Sequence, residues 1–379
     1  MQPRNKEATP PITARPKCLG DARRLADTRG IERTLTTREL NRALLARQFL
    51  LERSSLPMVA TIERIGGLQT QYAPSGYIGL WSRMRSFRRD ALTEALHQRR
   101  VIQGTLLRST IHMVSVRDYW LFLAAIRQPR QDWWRRVTRH QVSELDMEAA
   151  VRALRDQLAS GQRRADELRG ILTDRGLPAF AFGGVGQWLD MVRVPPSGTR
   201  EQRRADLYGL ADTWIRPNTH SESAALEHVI RRYLGAFGPA TAREIADWGG
   251  IPPAKLVPVL ERMSLRHFRD EKGKDLIDLL RAPLPDADTP APVRFLPTWD
   301  ATLLVHARRT QILPERYRPL VFNTKTPHSV PTFLIDGAVA GTWRVEGGRV
   351  ELKPFEPIPK SMRPEVDWEA KRLAAFFGP

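Results

Sequence analysis

Two carboxamides set two residues apart are the first candidates for chemistry in this chain. They are Gln69 and Gln71, in the stretch Gly66-Gly67-Leu68-Gln69-Thr70-Gln71-Tyr72-Ala73-Pro74. A glycine pair is a strong helix stop, and in an extended segment residues i and i+2 point to the same side. A neutral amide does not titrate near neutral pH and is therefore no strong general base. It can accept a hydrogen bond from water and donate another to an oxygen. Such a pair could hold a water molecule in place but could not force a difficult bond to break. A solvated polar loop has the same spacing and, on spacing alone, is the more common meaning of Gln-x-Gln.

Three other groupings carry polar chemistry. Arg108 and His112 lie four apart in a β-rich stretch, so on a regular strand they would share a face and could grip phosphate or a base edge. Trp299-Asp300, followed by His306, Arg308 and Arg309, forms a second cluster, in which a satisfied structural network is the simpler account of the tryptophan and aspartate. The segment around Asn323, Lys325 and His328 is cationic between apolar flanks and would suit a hairpin reaching into a groove, or an ordinary exposed connection. No phosphate-cradling glycine motif, HExxH motif or nucleophile elbow occurs.

The elements that must position these residues can be read from periodicity and punctuation. Thr37 is expected to cap a helix with apolar positions Leu40, Leu44, Leu45 and Phe49. A second helix should run from Pro57 to Ile65 and stop at Gly66-Gly67. Helices around 77–84 and 91–98 follow, then a β-rich stretch, 101–114, with Gly104 for its turn. Helices followed by a short hairpin are the winged-helix plan. The order recurs with helices at 147–158, 165–172 and 182–189 and strands at 191–194 and 207–215, joined by a basic connection. It recurs again with helices at 223–237, 241–248 and 252–265 and two strands around Lys272-Gly273-Lys274. Residues 282–292 read as a linker. Beyond it come strands at 294–296, 332–335, 338–345 and 349–352, hairpin turns at Asp336-Gly337 and Gly347-Gly348, and a closing helix from Pro364. The expected fold is α+β and mainly helical: a flexible basic tail (1–34), three tandem winged-helix units (35–140, 141–218, 219–290) and a β-rich C-terminal region (291–379).

Charge narrows the partner. The chain has 379 residues, with 60 Lys+Arg against 42 Asp+Glu, a formal charge of +18. That surplus calls for a polyanion, nucleic acid first, although arginine excess also accompanies GC-rich coding. The one cysteine, Cys18, allows no intramolecular disulfide and no cysteine-built zinc or iron–sulfur site. With no apolar run of membrane-spanning length and no secretory leader, the expectation is a cytoplasmic, nucleoid-associated monomer that uses no cofactor or metal.

Several motifs together carry a resemblance: Leu68-Gln69-Thr70-Gln71 after Gly-Gly, Arg108-Ser109-Thr110-Ile111-His112, Leu296-Pro297-Thr298-Trp299-Asp300, and Pro331 to Gly337 with Gly341-Thr342-Trp343. Over about residues 35–379 the chain resembles the AlkZ/YcaQ family of winged-helix DNA glycosylases. The resemblance implies a concave DNA-binding surface and excision of N7-alkylated purines. It also implies unhooking of interstrand crosslinks made by DNA-alkylating natural products, as in self-resistance. It makes Gln69 and Gln71 the catalytic pair of a Gln-x-Gln signature, with Thr70 where an apolar residue is expected, and 323–328 a crosslink-engaging hairpin. A cationic purine is already a good leaving group, so water-positioning amides would suffice, and the absence of a lysine nucleophile fits a monofunctional enzyme. Two non-catalytic readings share the charge and the wings: a winged-helix transcriptional regulator and an architectural DNA-binding protein.

Overall fold

Thr36 begins the first helix by accepting the Glu39 backbone N–H, while the Glu39 carboxylate reaches back to the Thr36 N–H. This reciprocal capping box moves the expected cap from Thr37 to the residue before it. The computed structural model describes residues 30–304, 309–323 and 328–378, with the backbone alone at Arg309, Asn323 and His328. The chain is α+β and mainly helical. It opens with β1 (Thr34–Leu35), α1 (Thr37–Arg47) and α2 (Met58–Arg64), which ends where Gly66 and Gly67 take φ of 79° and 85°. β2 (Leu68–Gln69), α3 (Pro74–Arg83), α4 (Arg89–His97), β3 (Val101–Thr105) and β4 (Ile111–Ser115) follow.

The turn between β3 and β4 is not at Gly104. Gly104 lies inside β3 opposite His112, where a Cβ would come within 3.0 Å of the Tyr119 ring; close packing accounts for the glycine. The chain reverses instead through Leu106–Thr110, with Arg108 and Ser109 at φ of 52° and 58°. Next comes α5 (Val116–Thr138), a 23-residue helix with no counterpart in the sequence reading, which carries Pro129 in its interior.

α6 (Glu144–Ala159), α7 (Ala165–Asp174), α8 (Ala181–Val185) and β6 (Met191–Arg193) match the expected order, with a short unexpected strand, β5 (Arg163–Arg164), between α6 and α7. β7 (Leu207–Leu210) is shorter than expected, because the chain turns helical as α9 (Ala211–Trp214). β6 pairs with β3 (Gln103 opposite Arg193, Gly104 opposite Val192), giving one six-stranded sheet ordered β2-β4-β3-β6-β7-β5. The strands of the first two stretches are therefore continuous.

α10 (Glu222–Phe237), α11 (Ala242–Gly249) and α12 (Pro253–Arg262) lead into the antiparallel pair β8 (Leu265–Asp270) and β9 (Asp275–Leu279). Thr241 and Glu244 form another capping box, and Gly250, at φ of 66°, ends α11. β1 lies parallel on β8, and Glu32 pairs with Arg266. The end of the expected tail is thus tied to the third hairpin, while its residues 1–29 lie outside the described residues. Nor is 282–292 a free linker. Arg47, Arg38 and Arg42 of α1 donate to the carbonyls of Pro283, Ala287 and Thr289, strapping it down.

The C-terminal region has β10 (Arg294–Leu296), α13 (Ala301–Leu304), α14 (Arg318–Val321) and the short pair β11 (Phe322–Asn323) and β12 (His328–Ser329). β13 (Thr332–Ile335), β14 (Ala338–Glu346) and β15 (Arg349–Pro354) join β10 in a sheet, and α15 (Arg363–Phe377) closes the chain. One large core joins α1, α5, α10, α11 and α12 to the C-terminal region. Within it the Phe122 ring meets Trp248 edge-on at 5.7 Å, so α5 and α11 are packed together. Among the described residues, no helix is long and apolar enough to cross a membrane.

Candidate active site

β2 is held by what surrounds it. Leu68 is buried among Ile62, Ile65, Tyr77 and Leu80, and the strand pairs antiparallel with β4, placing Gln69 opposite His112. Thr70 N–H continues the pairing to Ile111 O at 2.8 Å, after which the chain bends at Gln71. Gln69 is buried and Gln71 exposed, yet both side chains engage the same neighbouring segment, 108–111. The Gln69 Oε1 accepts from Arg108 Nη2 at 2.9 Å, and the Gln71 Oε1 accepts from the Ile111 N–H at 3.1 Å. Since both partners are donors, the orientation of each amide follows: oxygen towards the 108–111 segment and NH2 away from it.

Arg108 and His112 do not share a strand face as the four-residue spacing suggested. Arg108 sits in the tight turn, where its guanidinium also donates to Trp248 O at 2.9 Å. His112 lies on β4, only 3% exposed, with Nδ1 3.0 Å from Thr110 O. Burial, reinforced by the nearby Arg108 charge, pushes the His112 imidazole down to about 3, so it is neutral at physiological pH. Burial also lowers the Arg108 guanidinium, to about 10, which leaves it charged. Neither is an exposed grip for phosphate: one is committed to Gln69, the other is enclosed.

Gln69 also lines a narrow pocket with Gln48, Arg83, Trp299 and Asp300. Asp300 is bidentate with Arg83, at 2.8 and 2.9 Å, and accepts from Thr302, so the expected structural network is present. His306, Arg308 and Lys325 lie outside the described residues, and Arg309 has its backbone in a short 3-10 turn. Asn323 and His328 face each other across the base of the β11–β12 pair. That base is tied to the Trp299 loop: Thr298 Oγ1 donates to Ser329 O, and Trp299 N–H donates to Ser329 Oγ at 2.7 Å.

A feature missed in the sequence lies beside Gln71. A cleft of about 580 Å³ runs between α3 and the C-terminal sheet, its walls including Tyr72, Tyr77, Trp343 and Phe377. Arg200 and Arg203, from the loop between β6 and β7, stand at its edge, and Arg203 donates to the Tyr72 hydroxyl at 3.3 Å. The available signals were the basic character of that loop and an aromatic directly after the second glutamine. Among the described residues the two amides touch no carboxylate, and no group of three or more His, Cys, Asp or Glu could hold a metal.

A family model described as "DNA glycosylase AlkZ-like" matches residues 62–376. The chain belongs to the AlkZ-like DNA glycosylase family. An interstrand DNA cross-link repair glycosylase of Streptomyces sahachiroi is 22% identical over 360 residues, spanning 88% of this chain and 94% of that protein. The solved Streptomyces sahachiroi DNA glycosylase AlkZ shares the fold, with a TM-score of 0.74 at 18% identity over 90% of this chain and 96% of that one. Membership decides between the readings that the sequence left open: this glycosylase is an enzyme acting on DNA, not a regulator or an architectural binder.

Proposed function

We propose that this glycosylase hydrolyses the N-glycosidic bond of N7-alkylated purines and unhooks interstrand crosslinks built on them, with Gln69 and Gln71 positioning the water. The observation that carries the reading is the chemistry of the pair. Both amides are anchored through oxygen to N–H donors, and neither is hydrogen-bonded to a carboxylate or a histidine among the described residues. Such a site can place water against C1′ but cannot strongly deprotonate it, which restricts it to substrates whose base departs readily.

An N7-alkylpurine is such a base. As the C1′–N9 bond breaks, its electron pair neutralises the purine cation, so the leaving group needs no proton. Water forms the new O–C1′ bond and releases its proton to solvent. An outward NH2 can donate to the water oxygen, and the second lone pair of an amide oxygen can accept from it. The reading extends to three winged-helix units around the DNA, with Arg200 and Arg203 meeting phosphates and the segment 323–328 meeting the second strand of a crosslink.

The test is release of 7-methylguanine from duplex DNA, and of an unhooked product from a crosslinked duplex, under single-turnover conditions. The Gln69→Ala/Gln71→Ala protein is expected to lose about 10²-fold or more in rate. Normal release by that variant, folded as judged by its melting transition, would sink the assignment.

A further inference from the structure

We infer that Arg108 is a positioning residue for the water-holding pair: it fixes which way the Gln69 amide faces and does not itself bind DNA. The inference rests on the proposed role of Gln69. Its first support is the backbone of the turn. Arg108 and Ser109 are consecutive non-glycine residues at φ of 52° and 58°, a conformation that L residues adopt reluctantly. The turn is held there by Ser109 N–H to Leu106 O at 2.9 Å, Thr110 N–H to Leu107 O at 3.1 Å, and the fully buried Leu106 and Leu107. An ordinary hairpin would use Gly or Asn. This turn instead directs a long side chain back under β2.

The second support is what the side chain meets. One nitrogen reaches Trp248 O in the last turn of α11, and the other reaches Gln69 Oε1, each at 2.9 Å. Trp248 is locked among Phe122, Tyr233 and Phe237, so the guanidinium fork is braced on a rigid element. Arginine has donors only. An amide facing it must therefore present oxygen, which leaves the Gln69 Nε2 without a hydrogen-bond partner among the described residues. The bond to a cation also polarises the amide and strengthens its outward N–H donors. Without Arg108, Gln69 could turn over and aim its oxygen at the lesion.

A double-mutant cycle tests this. Arg108→Met is expected to slow single-turnover 7-methylguanine release at least tenfold, while leaving duplex affinity and its salt slope unchanged. In a Gln69→Ala background the same substitution should have no further effect, because Arg108 acts through Gln69. Arg108→Lys, which keeps one donor, should recover part of the rate and lose that recovery as alkaline pH discharges the lysine. Additive losses, or a salt slope reduced by about one phosphate contact, would overturn the inference in favour of a structural or DNA-contacting arginine. If Arg108→Met does not fold, the Arg108→Lys pH profile decides alone: a profile like wild type counts against the inference. No effect of Gln69→Ala itself would instead remove the proposed role of Gln69.

Discussion

In the proposed mechanism Gln69 and Gln71 enter the reaction with one lone pair of each oxygen already used, by Arg108 and by the Ile111 N–H. A pair that holds water in this way, rather than acting as a base, has a consequence for pH. Two titratable groups beside Gln69 are His112, opposite it across the strand pair and pushed down to about 3, and Arg108, which donates to it and is lowered to about 10. Neither changes charge between about pH 6 and 9, so single-turnover release of 7-methylguanine is expected to be flat across that range. A bell-shaped profile near neutrality would point to a general acid or base elsewhere. Stability behaves differently. The unfolded His112 takes up a proton below its ordinary 6.5, whereas the folded one does not until about 3. Its contribution to stability is therefore complete above pH 6.5 and declines as pH falls from 6.5 towards 3. A His112→Asn protein should show a shallower fall in melting temperature over that acid range than the wild type.

At the scale of elements, the loop that carries Trp299 and Asp300 forms one wall of the Gln69 pocket and anchors the base of the β11–β12 pair. Asp300 holds it by pairing with Arg83, both almost fully enclosed. Asp300→Ala would leave the guanidinium buried and unpaired, at a cost of about 3–5 kcal/mol. Denaturant unfolding should show that loss together with slower base release; an unchanged midpoint would refute it. Much at this scale was legible in advance. Thr241-x-x-Glu244, Gly66-Gly67, Asp336-Gly337 and Pro364 each mark an element boundary through local backbone chemistry, and each boundary is found within a residue or two. What was not legible depended on distant partners. Gly104 looked like a turn because the Tyr119 ring packed against it comes later in the chain. Pro129 hid α5, since an interior proline normally signals a break. Residues 282–292 read as a linker because the arginines that strap them lie some 240 positions earlier. The glutamines were visible as a motif. Arg108 was visible too, as a candidate grip for phosphate, but its bond to Gln69 was not, since its spacing from His112 suggested a shared strand face.

For the whole molecule, the formal charge of +18 says that DNA affinity should be strongly salt-dependent, and the structure suggests where part of that dependence lies. Arg200 and Arg203 stand at the edge of the cleft beside Tyr72, and neither has a carboxylate among its described hydrogen-bond partners. Replacing both with Gln should weaken binding to damaged and undamaged duplex alike and make the slope of log K against log salt shallower by about 2. An unchanged slope would mean that DNA passes over another face. The six-stranded sheet adds a constraint of its own. Gln69 lies on its first strand, and the loop carrying Arg200 and Arg203 joins its fourth and fifth, with β3 and β6 paired between them. The spacing between Gln69 and the strand ends from which that loop springs is therefore set by hydrogen-bond register, which changes only in whole-residue steps, each of which turns a strand's faces over. Gradual sequence change cannot stretch this distance a little at a time. Adaptation to lesions of different bulk is left to the side chains lining the cleft and to the lengths of the loops at its rim.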